Sequence, residues 1–221
     1  TLVTVYKDGR AIYDTVYDSK TVQLPVGTPQ SPDACYDRLL RFTGTGIHHI
    51  FIGIDHVCFV LGLVLLGGSI RGLLRVVTSF TIAHSITLAI ATLGYASVPA
   101  PPLNVAIALS ILFLGPEIVR AWRGETSFTI RHPWVVAFAF GLLHGFGFAS
   151  GLAALGLPQN EIPLALLAFN VGVEVGQLAF ILLVYALWLL VRKPLAPWQE
   201  RLLPVPIYIL GALSAMWCIE R

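Results

Sequence analysis

Residues 162–191 read IPLALLAFNVGVEVGQLAFILLVYALWLLV, a run of 30 residues in which Glu174 is the only charged side chain. An α-helix needs about 20 apolar residues to cross the roughly 30 Å hydrocarbon core of a bilayer. Because a helix satisfies its own backbone hydrogen bonds in lipid, an apolar run without a break favours a helix over a barrel strand. This stretch therefore predicts a transmembrane helix.

Five further apolar runs extend the pattern along the chain. Four of them also reach the length of a membrane span, whereas the last is shorter and has Pro204 and Pro206 near its start. The five runs are residues 45–66, 73–94, 103–122, 133–156 and 205–219. We therefore predict an all-α integral membrane protein, built as a bundle of six transmembrane helices.

The composition agrees with a protein whose solvent is lipid. Hydrophobic residues make up 56% of the chain and charged residues 12%, and the mean hydropathy is +0.78. Soluble domains carry about 25% charged residues, roughly twice as many. The net charge is only +2 and no long basic stretch is present, so nothing in the sequence suggests a surface for nucleic acid. The lipid bilayer is the first expected partner.

The N-terminal part differs from the rest of the chain. Two runs rich in β-forming side chains flank Lys7-Asp8-Gly9-Arg10, which is typical of a hairpin turn. Residues 29–43 contain proline and aspartate and suggest a linker. A two-stranded hairpin is marginal in water by itself. We expect residues 1–43 to be a small extracytoplasmic β segment and linker, the end of a larger or trimmed domain, and residues 44–221 to be the transmembrane domain.

The loops predict the orientation. Three alternate loops contain all eight basic residues found between the runs, and the other two loops, at 97–103 and 157–163, contain none. Lys and Arg are enriched in cytoplasmic loops, so the chain is expected to cross the cytoplasmic (inner) membrane with both termini outside. The basic residues are Arg71, Arg75, Arg120, Arg123, Arg131, Arg192, Lys193 and Arg201.

Several ionisable side chains interrupt the apolar runs. Such groups are costly inside a membrane and usually serve a function. With a rise of 1.5 Å per residue, four of them lie about 15–17 Å from an end of their predicted helices. These four are His56, His84, His144 and Glu174. Four different helices thus place a polar group at one level.

Two neighbours of His56 extend this set. His49 precedes it by seven residues and shares its helix face, and Asp55 adds a carboxylate beside it. Imidazole and carboxylate groups bind metals such as Zn, Ni, Co, Fe and Mn, and helix bundles build metal sites from facing helices. The predicted metal ligands are His49, Asp55, His56, His84, His144 and Glu174.

Simpler interpretations apply to several of these polar residues. A single intramembrane histidine often only bonds a neighbouring helix, and the same holds for Asn170 and Gln177. The glycines of the predicted fourth and fifth helices fit close helix packing. His48 and His132 are interpreted as lying outside any site, because one faces away from His49 and His56 and the other lies in a basic loop.

Four motifs give a family resemblance. They are Gly46-x-x-His49-x-x-x-Gly53-x-Asp55-His56, Phe80-Thr81-x-Ala83-His84-Ser85-x-Thr87-Leu88, Gly141-Leu142-x-His144-Gly145-x-Gly147-Phe148-Ala149 and Phe169-Asn170-x-Gly172-Val173-Glu174-x-Gly176-Gln177. In this order, over about residues 44–191, they resemble the HupE/UreJ family, and most closely its branch with an extracytoplasmic N-terminal segment. The resemblance implies a nickel or cobalt permease in which His49, Asp55 and His56 form the metal-binding signature.

Three functions remain open from the sequence. Uptake of a divalent metal ion (Ni, Co or Zn) needs partial sites along an aqueous path, and a homo-oligomer or a larger membrane complex would suit so small a chain. An intramembrane metal-dependent hydrolase needs three histidines around one ion, with Asp55 or Glu174 as the base and Ser85 as an oxyanion donor. A structural or assembly subunit of a membrane complex needs only a cluster that is hydrogen-bonded internally. The family resemblance favours transport over an enzyme.

Overall fold

The computed structural model describes residues 2–7, 10–16, 32–153, 162–194, 196–202 and 204–221. Within these residues the fold is mainly helical, with two short antiparallel strands, β1 (Leu2–Lys7) and β2 (Arg10–Val16). The helices are α1 (Pro32–Ile52), α2 (Ile54–Leu66), α3 (Ile70–Thr92), α4 (Ala100–Trp122), α5 (Phe128–Arg131), α6 (Pro133–Ala153), α7 (Ile162–Val191), α8 (Gln199–Leu202) and α9 (Val205–Glu220), with a 3-10 turn at Ala196–Trp198.

Several helices are long and apolar enough to cross a bilayer, which makes the chain a multi-pass membrane protein in contact with lipid. In the described part of the chain, α3, α4 and α7 each meet this requirement alone, and α1 and α2 meet it together as a bent pair. The helices α6 and α9 are apolar but contribute shorter segments to that part. The count of six spans stays a prediction, as does the extracytoplasmic place of the N-terminal segment.

The run at 45–66, expected to form one helix, is broken at Gly53. The segments on either side, in α1 and α2, are bent by 74°. Backbone hydrogen bonds continue up to the break, since the Gly53 amide donates to the His49 carbonyl at 2.9 Å. Glycine costs a helix roughly 1 kcal/mol relative to alanine, and a Cβ at Gly53 would lie 2.7 Å from Nδ1 of His56. The absence of a side chain thus makes room for the bend. A hydropathy pattern does not predict such a bend, because the run is apolar on both sides of it.

Helix α1 also begins earlier than the sequence suggested. Residues 32–43, interpreted as part of a linker, form its first turns. Proline has the backbone dihedral angle that the first helical position requires, and its missing N–H is not needed there. Pro32 therefore starts a helix here instead of interrupting one.

Two helix pairs, α1 with α7 and α3 with α6, approach so closely that only glycine fits at the contact. A Cβ built on Gly46 would overlap the carbonyl oxygen of Phe169, and one on Gly172 would overlap the backbone of α1. In the second pair, a Cβ on Gly141 would lie 2.5 Å from the carbonyl oxygen of Phe80. The interpretation of Gly141 and Gly172 as packing positions is confirmed, and Gly46 is a further packing position that the sequence did not single out.

An apolar core fixes α2 against α4 and α9. Buried side chains from these helices include Phe59, Leu63, Ile111, Leu114 and Trp217. Burying a large apolar side chain contributes roughly 1.5–3 kcal/mol when the alternative is water, but lipid is itself apolar. Here, close packing rather than removal from water holds the helices together. The core gives α2, and with it His56, a fixed position.

Candidate metal centre

Four histidines from four helices meet in the interior of the bundle. They are His49 in the last turn of α1, His56 in the first turn of α2, His84 in the middle of α3 and His144 in the middle of α6. The centroids of the His49 and His56 rings are 4.4 Å apart, across the bend at Gly53. The ring of His84 lies 6.1 Å from both, and that of His144 lies 5.0 Å from His56. We call these four residues the histidine cluster.

The spacing within the cluster suits a single metal ion. One ring nitrogen each from His49, His56 and His84 lies within 4.8 Å of the other two. A zinc–imidazole bond is about 2.0–2.1 Å long, so two ligands on opposite sides of one ion are about 4 Å apart. Small side-chain movements would bring three nitrogens onto one ion, with His144 beside them. The structure thus brings the four predicted histidines together, and ligation by them stays a prediction.

Most ring nitrogens of the cluster lack a hydrogen-bond partner. Among the described residues, five buried nitrogens are unpartnered: Nε2 of His49, both nitrogens of His56, Nε2 of His84 and Nδ1 of His144. Burying a polar group without a partner costs roughly 1–3 kcal/mol. A shared cation would compensate for this cost at one nitrogen of each ring, because each neutral imidazole offers one lone pair to a metal.

Aromatic rings form the walls of the cluster. The ring of Phe148 lies 4.1 Å from that of His49, and Phe169 lies 5.4 Å from the same histidine. On the other side, Phe59 lies 5.2 Å from His144. Such an apolar shell limits the access of water to a metal and lowers the local dielectric constant. These aromatic side chains therefore shield the histidine cluster from water on both sides.

Asp55 points away from the cluster. Its carboxylate accepts two hydrogen bonds from the guanidinium group of Arg221, at 2.8 and 3.2 Å. That guanidinium group also lies 5.0 Å from the ring of Trp217. Neighbouring residues on a helix point about 100° apart, so Asp55 cannot face the cluster while His56 does. Ligation by Asp55 stays a prediction, and it would require the ion pair with Arg221 to open.

Glu174 lies beside the cluster but at a different depth. Its Oε1 atom accepts a hydrogen bond from the Thr78 hydroxyl at 2.6 Å, and its Oε2 atom is buried without a partner in the described residues. Thr78 precedes His84 by six residues, which is about 9 Å along α3. Depth counted from helix ends neglects tilt and side-chain direction, which is why Glu174 differs from the expected shared level. It forms a separate polar site, and its role as a ligand stays a prediction.

The hydroxyl group of Ser85, the predicted oxyanion donor of a hydrolase, is hydrogen-bonded to the backbone of its own helix. It donates to the Thr81 carbonyl at 2.6 Å. Ser85 and Asn170 line a cleft of about 330 Å³ between α3 and α7. Leu167, which also lines the cleft, is 65% exposed, so the cleft opens at the surface of the helix bundle. Asn170, which lines the cleft, also contacts His84.

Two polar residues outside the predicted ligand set contact the cluster. Ser110 in α4 lies 3.2 Å from Nε2 of His144, and Asn170 in α7 lies 3.2 Å from Nδ1 of His84. The sequence suggested an interhelical hydrogen bond for Asn170 but did not single out Ser110. Serine hydroxyls in apolar helices often bond only their own backbone, so a lone serine in such a run is a weak signal.

The residues excluded from the site lie elsewhere. His48 and His132 are both exposed and outside the group of close ligand atoms. Glu117 forms an ion pair with Arg120 at 2.5 Å, three residues further along the same helix, and it also accepts a hydrogen bond from Ser127. Neither observation adds a ligand to the cluster.

Gly53→Ala is expected to weaken metal binding. The added methyl group would lie 2.7 Å from Nδ1 of His56 and 2.8 Å from the His49 carbonyl oxygen, so the His56 ring has to turn aside. Misorienting a ligand costs about tenfold or more in metal affinity, measurable by equilibrium dialysis against Ni²⁺. Gly44→Ala in the same helix is the control, since a Cβ there meets nothing within 4 Å. Equal affinity of the two variants would contradict the prediction.

A multi-pass helical bundle with imidazole lone pairs gathered in its interior defines a membrane protein with a candidate metal site. The chain belongs to the HupE/UreJ family, because the family model described as "HupE / UreJ protein" matches residues 28–221. This match confirms the resemblance seen in the four motifs and extends it through α9. No curated protein and no solved structure compared with the chain gives a match.

Proposed function

We propose that this protein carries a divalent transition-metal ion across the inner membrane and that the histidine cluster binds the ion on its way. The observation that supports this proposal most strongly is the set of five buried, unpartnered imidazole nitrogens contributed by four helices. The family resemblance implies nickel or cobalt as the transported metal. Both ions, like zinc, accept imidazole ligands.

The charge of the cluster favours a transported ion over a permanently bound one. Its four members are neutral imidazoles when their lone pairs are free for a metal, and the carboxylates of Asp55 and Glu174 interact with Arg221 and Thr78 instead. A divalent ion in this cluster keeps its full charge in an apolar setting, which limits affinity. Transport requires binding strong enough for entrance yet weak enough for release.

The polar residues suggest a route through α3 and α7. If both termini lie outside, as the loop charges predict, the cleft at Ser85 and Asn170 faces the outer half of the membrane. Glu174 and Thr78 then lie on the inner side of the cluster, closer to Arg75. An ion leaving the imidazoles inward would meet the unpartnered Oε2 atom of Glu174, a carboxylate that offsets part of its charge.

The two alternative functions fit the contacts less well. A hydrolase needs a general base beside the metal-bound water, but the carboxylate of Asp55 is bonded to Arg221, and Glu174 lies at a different depth from the histidine cluster, at Thr78. A purely structural cluster would have its nitrogens hydrogen-bonded to one another. In the described residues, both nitrogens of His56 lack any partner. These contacts favour metal transport.

Metal analysis of the purified full chain tests the binding step. The protein is equilibrated with Ni²⁺, separated from free ion and analysed by mass spectrometry before and after treatment with a chelator. We expect metal in the untreated sample, lost on chelation, because neutral ligands hold the ion reversibly. An untreated protein without bound metal would contradict the proposal.

Uptake into proteoliposomes tests the transport step. Vesicles containing the wild-type chain are expected to accumulate radioactive Ni²⁺ with time, whereas vesicles containing His56→Ala are expected to remain at the level of empty vesicles. Binding of Ni²⁺ by the detergent-solubilised protein without uptake would argue against transport and favour a stationary metal site.

A further inference from the structure

Ser110 and Asn170 contact the histidine cluster from outside, each through one histidine. Ser110 is 1% exposed and Asn170 7%, so water does not compete for their hydrogen bonds. The contacts are Ser110 Oγ to His144 Nε2 and Asn170 Oδ1 to His84 Nδ1, both 3.2 Å long. In each case the bonded nitrogen is the one on the far side of the ring from the unpartnered nitrogen.

The hydrogen bonds of Ser110 determine the tautomer of His144. Ser110 Oγ lies 2.6 Å from the carbonyl oxygen of Ile107, which can only accept, so the single hydroxyl proton is donated there. Ser110 can therefore only accept a hydrogen bond from His144. The ring proton of neutral His144 is consequently on Nε2, and the lone pair is on Nδ1, the unpartnered nitrogen.

Asn170 acts on His84 in the same way. The side-chain Nδ2 atom of Asn170 donates to the Leu166 carbonyl oxygen at 2.8 Å, which fixes the orientation of the amide and directs Oδ1 toward His84. Because an amide oxygen only accepts, Nδ1 of His84 has to donate. The lone pair of His84 is therefore on Nε2, again the unpartnered nitrogen.

We propose that Ser110 and Asn170 are positioning residues that hold His144 and His84 in opposite tautomers, so that Nδ1 of His144 and Nε2 of His84 keep the lone pairs with which each ring can bind a metal ion. The metal ion in this inference rests on the proposed function, whereas the tautomers follow from the hydrogen bonds alone. Partners of this kind orient a ligand and fix its protonation, and their loss costs about 10–100-fold in metal affinity. His56, with no partner on either nitrogen in the described residues, keeps the freedom to adapt to the ion.

The tautomers are tested first in the metal-free protein. In detergent-solubilised full chain labelled with ¹⁵N-histidine, two-bond proton–nitrogen correlations distinguish the two neutral tautomers of each ring. We expect the Nε2–H form for His144 and the Nδ1–H form for His84, and loss of the His144 preference in Ser110→Ala. A wild-type His144 in the Nδ1–H form, or a Ser110→Ala spectrum unchanged at His144, would overturn the proposal.

Metal affinity is then measured by equilibrium dialysis with Ni²⁺ alone. Ser110→Ala is expected to weaken binding about 10–100-fold, and Ser110→Thr to keep the wild-type affinity wherever it keeps the wild-type tautomer. Ser214→Ala is the matched control, because Ser214 is fully buried and donates to its own helix at 2.6 Å, but on α9. It should bind Ni²⁺ as the wild type does.

The two measurements separate the inference from the proposed function. A wild-type protein that binds no Ni²⁺ contradicts the proposed function. The tautomers measured in the metal-free protein would still show whether Ser110 and Asn170 orient His144 and His84. A Ser110→Ala variant that changes tautomer and yet binds Ni²⁺ at full affinity overturns the positioning role, even if the protein is a metal transporter.

Discussion

Removal of one histidine of the cluster, by His56→Ala or His84→Ala, is expected to abolish retention of Ni²⁺ by the purified protein. Each variant removes one buried member of a set of three ring nitrogens that lie within 4.8 Å of one another. Since loss of a partner that merely orients a ligand already costs about 10–100-fold in affinity, loss of the ligand itself should cost more. Mass spectrometry after gel filtration measures the bound metal.

His56→Ala is the cleaner of the two variants. Both nitrogens of His56 lack a partner in the described structure, whereas Nδ1 of His84 is hydrogen-bonded to Asn170. Removing His56 thus leaves no buried polar group unsatisfied, and the variant should elute as folded protein. His132→Ala is the control, because His132 is exposed and outside the cluster. Loss of metal from His132→Ala equal to that from His56→Ala would contradict the assignment of the site.

Gly46→Ala is expected to destabilise the fold severely. A Cβ at this position would overlap the carbonyl oxygen of Phe169 and lie 2.9 Å from the amide nitrogen of Val173. Both atoms belong to the backbone of α7, which cannot rotate aside as a side chain can. Overpacking usually costs about 1–3 kcal/mol, and we expect a cost at or above this range. The measurement is the temperature of unfolding in detergent, followed by size-exclusion chromatography.

Gly44→Ala, two residues earlier in α1, is the matched control for this prediction. A Cβ at Gly44 meets nothing within 4 Å, and alanine favours a helix by up to about 1 kcal/mol over glycine. The variant should therefore be at least as stable as the wild type. An unfolding temperature of Gly46→Ala equal to that of Gly44→Ala would show that α1 and α7 do not pack as closely as described.

The positions of the long helices follow closely from the sequence. The run at 162–191 coincides with α7, and the runs at 73–94 and 103–122 differ from α3 and α4 by at most three residues at either end. Hydropathy predicts these helices well because lipid imposes the same requirement on each segment independently. The bend at Gly53 was not predicted, because it depends on the place of the His56 ring and not on the apolar character of the segment.

The candidate site was predicted in part. All four members of the cluster were among the predicted ligands, because an ionisable side chain in an apolar run is costly and stands out. The partners of Asp55 and Glu174 could not be predicted. Asp55 bonds Arg221, a residue 166 positions away along the chain, and Glu174 bonds Thr78, 96 positions away. Such contacts depend on how the helices are arranged and on how each one is rotated.

The amino-acid sequence by itself determined that the protein is a helical membrane protein of the HupE/UreJ type and that histidines lie within its spans. These properties depend on residue type and spacing along one helix. Only the tertiary structure decided which nitrogens face one another, that both carboxylates have other partners, and that Ser110 and Asn170 hold the rings of His144 and His84. The physical reason is that a lone pair has a direction, and that direction is set by neighbours on other helices.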